Sequence, residues 1–207
     1  MTDTPPKTKK PLTGLALFRI ILWALVVVVG FAAAGLYFWK PPAGPVGLTG
    51  APFTLESTAG GEFTQANFKG TPTALFFGYT SCPDVCPTTM AELSAVQQQL
   101  KLSPNQFRVV FATVDPARDS LKVLQGYVSN FGSSFIGLTG TQAQVDAAKA
   151  AFGIYSKKGP DDGTGTYLVD HTATVFLLGK DGEFEGTIAY GEDQKAVADK
   201  IKRLAGA

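Results

Sequence analysis

An uncharged apolar segment near the N-terminus constrains the fold of this chain more than any other feature of its sequence. Residues 20–39 read IILWALVVVVGFAAAGLYFW and contain no Asp, Glu, Lys or Arg. At the helical rise, a segment of this length spans about 30 Å, the thickness of the hydrocarbon core of a bilayer. Trp23, Tyr37 and Trp39 lie near its ends, where aromatic side chains favour the membrane interface. The segment therefore predicts a transmembrane anchor.

The charges that precede this segment predict the orientation of the anchor. Four basic side chains and one acidic side chain lie there, namely Lys7, Lys9, Lys10, Arg19 and Asp3. Because positive flanks stay in the cytoplasm, residues 1–19 are expected there and residues 40–207 beyond the membrane. No long Arg- and Ser-rich leader precedes the span, which argues against mitochondrial import. We expect a single-pass protein of the bacterial inner membrane with its C-terminal domain in the periplasm.

A cleaved signal peptide is the alternative interpretation of the same segment. Residues 20–31 could form its apolar region, and residues 32–34, which are all alanine, offer small side chains for cleavage. The apolar run continues to Trp39, beyond the point at which a signal peptide should end. An uncleaved anchor is therefore favoured.

The rest of the chain is long enough for one domain with its own hydrophobic core. Residues 40–50, KPPAGPVGLTG, have the composition of a Pro/Gly linker, and residues 51–207 are the predicted domain. The whole chain has 18 Lys and Arg against 17 Asp and Glu. Since no basic patch stands out, nucleic acid is not an expected partner.

Strand-like and helix-like segments alternate in this domain, which predicts an α/β fold. Apolar runs and turn signals predict strands at 53–55, 62–64, 73–79, 107–114, 172–178 and 183–189. Periodic apolar positions and capping residues predict helices at 87–101, 120–130, 141–152 and 192–204. Residues 156–166, with three glycines and charges of both signs, are typical of an exposed loop.

Two cysteines and one histidine are the candidate functional groups of the domain. Cys82, Cys86 and His171 are the only residues of these two types in the chain. Two thiolates and an imidazole suit Cu(I), whereas structural zinc prefers four protein ligands and only three soft ones exist. On the residues alone, a structural disulfide with a lone surface histidine remains an alternative.

The sequence around the cysteines predicts their local structure. Both precede a proline, which disfavours the α conformation at Cys82 and Cys86. Pro87 suits the first turn of a helix, so Cys86 is expected to cap a helix that begins at Pro87. The free N–H groups and the dipole at that helix start would favour the thiolate form. His171 is expected to open the strand at 172–178, where an α/β sheet gathers its site.

Three motifs of the domain resemble those of the Sco/SenC family. They are Tyr79-Thr-Ser-Cys-Pro-Asp-Val-Cys-Pro87, Thr113-Val-Asp-Pro-Ala-Arg-Asp119 and Tyr167-Leu-Val-Asp-His-Thr172, and the resemblance extends over roughly residues 46–205. It implies a thioredoxin-like fold and the binding of Cu(I) and Cu(II) by Cys82, Cys86 and His171. It also implies copper delivery to, or cysteine reduction in, the dinuclear CuA centre of cytochrome c oxidase.

A copper metallochaperone is the leading functional hypothesis, with the copper-site subunit of cytochrome c oxidase as its partner. A thiol–disulfide oxidoreductase is the runner-up, with Cys82 and Cys86 as the redox pair that keeps partner cysteines reduced. A thioredoxin-like peroxidase is the third. Three residues between the cysteines, where the thioredoxin motif has two, and a histidine with no required role in dithiol exchange favour copper. The first two activities can coexist, so enzymatic activity stays open, and another periplasmic copper chaperone or a thioredoxin-like reductase is a candidate second partner.

Three aspartates within these motifs each keep two interpretations. Asp115 and Asp119 match family positions, but they could simply end a strand and cap a helix. Asp170 could orient the neighbouring histidine or be an ordinary loop acid.

Overall fold

The computed structural model describes residues 14–38, 51–161 and 163–207, with the backbone alone for residues 32–38. The predicted linker at 40–50 and the basic residues before residue 14 lie outside the described residues. The chain divides into two compact units, Met1–Ala43 and Gly44–Ala207.

The first unit contains one described helix, α1, which extends from Gly14 to Phe38. Its part Gly14–Phe31 has none of its residues buried and is long and apolar enough to cross a membrane by length and composition. The helix begins before the predicted span, so Arg19 lies inside it, and Trp39 lies outside the described residues. Residues 20–38 of the predicted span thus lie within α1, and the membrane crossing itself stays a prediction.

Nine strands and four helices are described in the second unit. The strands are β1 Thr54–Ser57, β2 Glu62–Thr64, β3 Thr73–Gly78, β4 Arg108–Thr113, β5 Phe135–Thr139, β6 Ser156–Lys158, β7 Val169–His171, β8 Val175–Leu178 and β9 Phe184–Ile188. The helices are α2 Val85–Gln99, α3 Leu121–Val128, α4 Gln142–Phe152 and α5 Gln194–Ala205, with a short 3₁₀ helix at Gln65–Phe68. The predicted α/β class is confirmed.

Seven of the described strands form one mixed sheet in the order β2-β1-β5-β4-β3-β8-β9. The three central strands β5, β4 and β3 run parallel, and β1, β8 and β9 join antiparallel to their neighbours. The carboxyl ends of β3 and β4 therefore meet at one edge, where the loops that follow them lie side by side. β6 and β7 form a separate two-stranded ribbon, called the β6–β7 ribbon below.

Side-chain alternation along the central strands divides the core into two layers. In β3, Leu75 and Phe77 face one layer, which includes α4, while Ala74 and Phe76 face the other, which includes α2, α3 and α5. All four side chains are buried, as expected for a strand covered on both faces. Helices on both faces of the sheet thus explain why the central strands are continuous apolar runs.

The helix cap at α4 is the one predicted from the sequence, whereas the cap at α3 is Ser120 and not Asp119. Thr141 caps α4 in a capping box with Gln144, and Gly153 ends that helix at a φ of 64°. For α3 the cap is Ser120, whose hydroxyl accepts a hydrogen bond from the backbone N–H of Val123. Asp119 is therefore not a cap.

Two local predictions around His171 are wrong. His171 ends β7 and does not open β8, which begins only at Val175. Residues 156–158 form β6 and are not simply loop. The reason is that β6 pairs with β7 outside the main sheet, and such short pairing has no apolar pattern that the sequence could reveal.

An ion pair between α5 and the turn that follows β9 makes the stability of the fold depend on pH. Lys200 Nζ lies 2.5 Å from Glu192 Oε1 and donates to the backbone O of Thr187 at 2.8 Å. Hydrogen bonds from Lys200 and from the N–H of Ala189 lower the pKa of Glu192. We expect Glu192→Gln to lower the free energy of unfolding by about 0.5–1 kcal/mol at pH 7.

Because the pKa of Glu192 is lower in the folded state, this stabilisation is present above the unfolded pKa and is lost as pH falls through the folded one. Urea unfolding of the full chain in detergent at several pH values checks this. Glu62→Gln, which changes an exposed glutamate on β2, is the control and should leave the curve unchanged. A difference for Glu192→Gln that persists undiminished at low pH would contradict the ion-pair assignment.

Candidate metal centre

The two cysteines lie on either side of the start of α2, immediately after β3. The chain leaves β3 at Gly78 and makes a turn in which the N–H of Cys82 donates to the O of Tyr79 at 3.2 Å. α2 then begins at Val85, with Asp84 as its N-cap residue. The cysteine loop, residues 79–86, is thus held at the carboxyl end of a central strand.

Cys86 does not cap this helix, which corrects the expectation from sequence. It is the second residue of α2, and Pro87 is the third. The first N–H groups of a helix have no partner within the helix, so Pro87 loses no hydrogen bond there. This position points the Cys86 side chain into the core, where it is fully buried.

The sulfur of Cys86 occupies space that a glycine leaves open. A Cβ on Gly78 would lie 2.7 Å from Sγ of Cys86 and 2.8 Å from Cε2 of Phe111. Both distances are shorter than van der Waals contact allows. Gly78 is therefore required by the close approach of these side chains to β3, since its φ is not in the left-handed region.

His171 reaches the same place from the β6–β7 ribbon, where it pairs with Ser156. Its Nε2 lies 3.5 Å from Sγ of Cys86, and its Nδ1 lies 3.0 Å from the backbone O of Val169. A carbonyl oxygen can only accept, so Nδ1 carries the proton and Nε2 presents its lone pair to the sulfur. The ring of Tyr79 packs edge-to-face on the imidazole at a centroid distance of 5.5 Å. The imidazole is thus fixed in both tautomer and orientation.

Cys82 is half-buried and lies against both layers of the core. Both cysteines are free thiols, so the structure contains no disulfide between them. In the described part of the chain, no three Cys, His, Asp or Glu side chains are already arranged to hold a metal ion. The structure therefore brings Cys86 and His171 into direct contact, with Cys82 on the turn that precedes α2.

Burial changes the acidity of Cys86 in the direction opposite to the one expected from its position at a helix start. It raises the pKa of the Cys86 thiol, and a backbone hydrogen bond from Tyr79 does not offset this effect. The charge of Cys82 raises the pKa further. Cys86 is therefore a thiol in the metal-free protein, and a bound cation has to replace its proton.

Asp115 ties the end of β4 to the ribbon that carries the histidine. Its Oδ2 accepts a hydrogen bond from Nε of Arg118 at 2.5 Å, and its Oδ1 accepts one from the hydroxyl of Tyr167 at 2.8 Å. Arg118 also donates to the backbone O of Tyr167 at 3.0 Å, and its guanidinium lies 3.6 Å from the centroid of that ring. Since Tyr167 immediately precedes the β7 region, this cluster sets where the β6–β7 ribbon lies relative to β4.

Asp119 holds the cysteine loop instead of capping a helix. Its buried carboxylate accepts hydrogen bonds from the backbone N of Thr80 at 3.0 Å and from Oγ1 of Thr80 at 2.5 Å. A third donor is Oγ1 of Thr113 at 2.6 Å. Burial raises the pKa of Asp119, although these hydrogen bonds act to lower it. The carboxylate thus joins the ends of β3 and β4.

Asp170 does not orient the histidine. Its side chain is exposed, and it pairs across the ribbon with Lys157. The orienting group is the backbone carbonyl of Val169, as described above. Neither interpretation of Asp170 agrees fully with the structure, since it is an exposed acid on the strand β7 and not on a loop.

Sequence reasoning did not identify Gly78, Arg118, Tyr167 or Val169 as parts of the site. Arg118 lies within the motif at 113–119 and Tyr167 within the motif at 167–172, and this position is the one sequence signal for a role in the site. Their contact joins positions 49 residues apart, and no local pattern predicts it. Val169 acts through a backbone atom, so its side chain carries no information about this role.

Fold and site together define a thioredoxin-like α/β domain with two thiols and an imidazole at the carboxyl end of its parallel strands. The SCO1/SenC family model matches residues 43–206. The human protein SCO2 homolog, mitochondrial, is 36% identical over 155 residues, which cover 73% of this chain and 58% of the relative. The SCO2-like protein of Rickettsia prowazekii is 32% identical over 175 residues, which cover 80% of this chain and 85% of that protein.

Among solved structures, Bradyrhizobium japonicum ScoI with copper bound is 35% identical and superposes with a TM-score of 0.67. The match covers 74% of this chain and 97% of that one. The chain therefore belongs to the SCO1/SenC family. It spans little more than half the length of the human relative.

The space at Gly78 yields a test of the site geometry. We expect Gly78→Ala to lower the free energy of unfolding by about 1–3 kcal/mol, because the new methyl group overpacks against Cys86 and Phe111. Gly126→Ala in α3 is the matched control, since a Cβ there meets nothing within 4 Å. Urea unfolding measures both. Equal effects of the two substitutions would show that the sulfur of Cys86 does not lie against β3.

Proposed function

We propose that this protein is a membrane-anchored copper metallochaperone that binds copper through Cys82, Cys86 and His171. The observation that supports this most directly is the distance of 3.5 Å between Sγ of Cys86 and Nε2 of His171, from residues far apart in sequence. In the metal-free protein the Cys86 thiol and the unprotonated Nε2 lie within hydrogen-bond distance, and loss of the thiol proton would leave a thiolate and an imidazole as two adjacent metal donors.

The donor set fits copper as a cargo. Two thiolates and one imidazole match the preference of Cu(I) for soft ligands, and imidazole also suits Cu(II). Cys82 is the less buried sulfur and lies on a turn, so it is the donor that can close onto a copper ion held by the other two residues. The copper-bound structure of Bradyrhizobium japonicum ScoI, 35% identical to this chain, supports the same ion.

Cytochrome c oxidase is the proposed destination of the copper. Sco family proteins take part in cytochrome c oxidase assembly. We assign the copper-site subunit of the oxidase, with its CuA centre, as the partner that receives the ion. A second periplasmic copper chaperone would supply it, or a thioredoxin-like reductase would keep Cys82 and Cys86 reduced.

A thiol–disulfide oxidoreductase is the second candidate function, and the unequal burial of the two thiols favours it. Cys82 is half-buried and Cys86 is fully buried, so an incoming disulfide would meet Cys82 first. Comparing oxidase assembly in cells that carry the wild type or His171→Ala, at limiting and at excess copper, separates the two functions. Rescue by excess copper supports delivery, whereas activity that is independent of His171 supports thiol exchange.

The anchor proposal places the protein in the bacterial inner membrane with residues 51–207 in the periplasm. The apolar helix α1 supports an anchor by its length and composition. The basic residues before it support the orientation.

Removal of any one proposed ligand should impair copper binding. We expect Cys82→Ser and Cys86→Ser each to abolish stable Cu(I) binding, because a hydroxyl is a poor ligand for this ion. His171→Ala should weaken it. Competition of the reduced full chain with a chromophoric Cu(I) chelator measures affinity, and X-ray absorption identifies the donor atoms.

Asp170→Asn is the matched control for these variants, since it changes the exposed neighbour of His171 and should leave copper affinity unchanged. A spectrum of the Cu(I) protein without sulfur scatterers would rule out the proposed site. So would a Cys86→Ser variant with the affinity of the wild type.

Membrane attachment through α1 is tested by alkaline carbonate extraction of cell membranes. We expect the protein to remain in the pellet, and protease to reach the C-terminal domain only after the outer membrane is opened. Val26→Arg with Val28→Arg is the control, because each buried arginine costs about 2.5–3.5 kcal/mol at the centre of a span and should release the protein. A shortened soluble wild type with a new N-terminus near Gly35 would establish a cleaved signal peptide instead.

A further inference from the structure

We propose that Asp119 is a positioning residue for the cysteine loop: its carboxylate fixes the turn that presents Cys82 to Cys86 and His171. The copper part of this inference rests on the proposed function. The part that concerns the two thiols does not, because it applies to the metal-free protein.

The hydrogen bonds of Thr80 are the first step of the argument. Thr80 is the second residue of the turn that the N–H of Cys82 closes on Tyr79. Asp119 accepts both donors of Thr80, the backbone N–H at 3.0 Å and the hydroxyl at 2.5 Å. The turn cannot tilt without breaking two hydrogen bonds to a carboxylate, which are stronger than bonds between neutral groups.

Asp119 is itself held in place from three sides. Its Oδ2 accepts a hydrogen bond from Oγ1 of Thr113 at 2.6 Å, at the end of β4. Its backbone N–H donates to the O of Asp115 at 3.0 Å, and its backbone O accepts from Oγ1 of Thr139 at 2.8 Å, at the end of β5. The ends of β4 and β5 therefore determine where the carboxylate lies, and the carboxylate determines where the cysteine loop lies.

The choice of an acid at this position also has a physical reason. The Asp119 side chain is fully buried, and no Lys or Arg of the described residues forms an ion pair with it. A buried carboxylate without a cation is costly. Three donors converge on it, however, and an amide has a single acceptor oxygen where a carboxylate has two. The acid is thus the side chain that accepts from all three donors, whereas an amide would turn an N–H group toward one of them.

Four substitutions of the full chain, purified in detergent, test this assignment. Thr80→Val removes one donor to the carboxylate and keeps the branched shape, while Asp119→Asn keeps the shape and removes one acceptor. Ser134→Ala is the matched control: it removes a buried hydroxyl that donates to Oε1 of Gln97, away from Asp119 and the cysteine loop. Thr80→Ser, which keeps both donors, is the conservative variant that should restore wild-type behaviour.

The first readout is the equilibrium of the metal-free protein with glutathione. Cys82 and Cys86 form a disulfide and give up two protons and two electrons, and one glutathione disulfide becomes two glutathione thiols. A freed turn lets Cys82 explore more positions, so the two sulfurs meet less often. We expect the equilibrium constant for disulfide formation to fall several-fold in Thr80→Val and Asp119→Asn and to stay at the wild-type value in Ser134→Ala and Thr80→Ser.

The second readout is Cu(I) affinity, which should fall about 10- to 100-fold in Thr80→Val and Asp119→Asn, as for other groups that orient metal ligands. Unchanged equilibrium and affinity in Thr80→Val would overturn the assignment. Equal losses in Ser134→Ala would do the same, since they would show general destabilisation. If Cys82→Ser keeps the copper affinity of the wild type, the proposed function fails, and the glutathione equilibrium alone decides the role of Asp119.

Discussion

The parallel pairing of β3 with β4 is the interaction on which the rest of the site depends. Six residue pairs, from Thr73 with Arg108 to Gly78 with Thr113, place the carboxyl ends of both strands at one edge. The N–H of Val114 donates to the O of Gly78 at 2.8 Å and extends the pairing beyond the strands. The cysteine loop follows one strand end and the segment 115–119 follows the other. Because the two segments start side by side, Asp119 can reach Thr80 across a distance in sequence that no local interaction would bridge.

The histidine comes from outside this sheet, and its placement needs separate interactions. The cluster of Asp115, Arg118 and Tyr167 attaches the β6–β7 ribbon to β4. The backbone carbonyl of Val169 determines the orientation of the His171 imidazole. Two of the three proposed donors are therefore rigid, and the third is a half-buried thiol on a turn. Under the proposed function, Cys82, which is less buried than Cys86, is the sulfur at which exchange with a partner thiol would start.

Much of the fold follows from local sequence signals, and much of the site does not. The apolar runs of β3 and β4 and the capping pattern at Thr141 predict their elements within two residues of the structure. The three candidate ligands also follow from the sequence, because they are its two cysteines and its single histidine. The ribbon of His171 has no such signal, because three-residue strands outside the sheet need no apolar alternation. The acidity of Cys86 could not be predicted either, since the helix start is visible in the sequence and the depth of burial is not.

The distribution of unsatisfied polar atoms supports the view that this end of the fold is shaped by function. In the described residues, three buried side-chain atoms have no hydrogen-bond partner: Oγ1 of Thr89, Nη2 of Arg118 and the hydroxyl of Tyr127. Thr89 lies one turn after Cys86 on α2, Arg118 belongs to the cluster that holds the ribbon, and Tyr127 packs on Phe111 beside Gly78. Each costs about 1–3 kcal/mol relative to a bonded group. These three atoms lie in the elements next to the cysteine loop and the β6–β7 ribbon, and unfavourable local contacts of this kind are found where a site, and not packing alone, determines the structure.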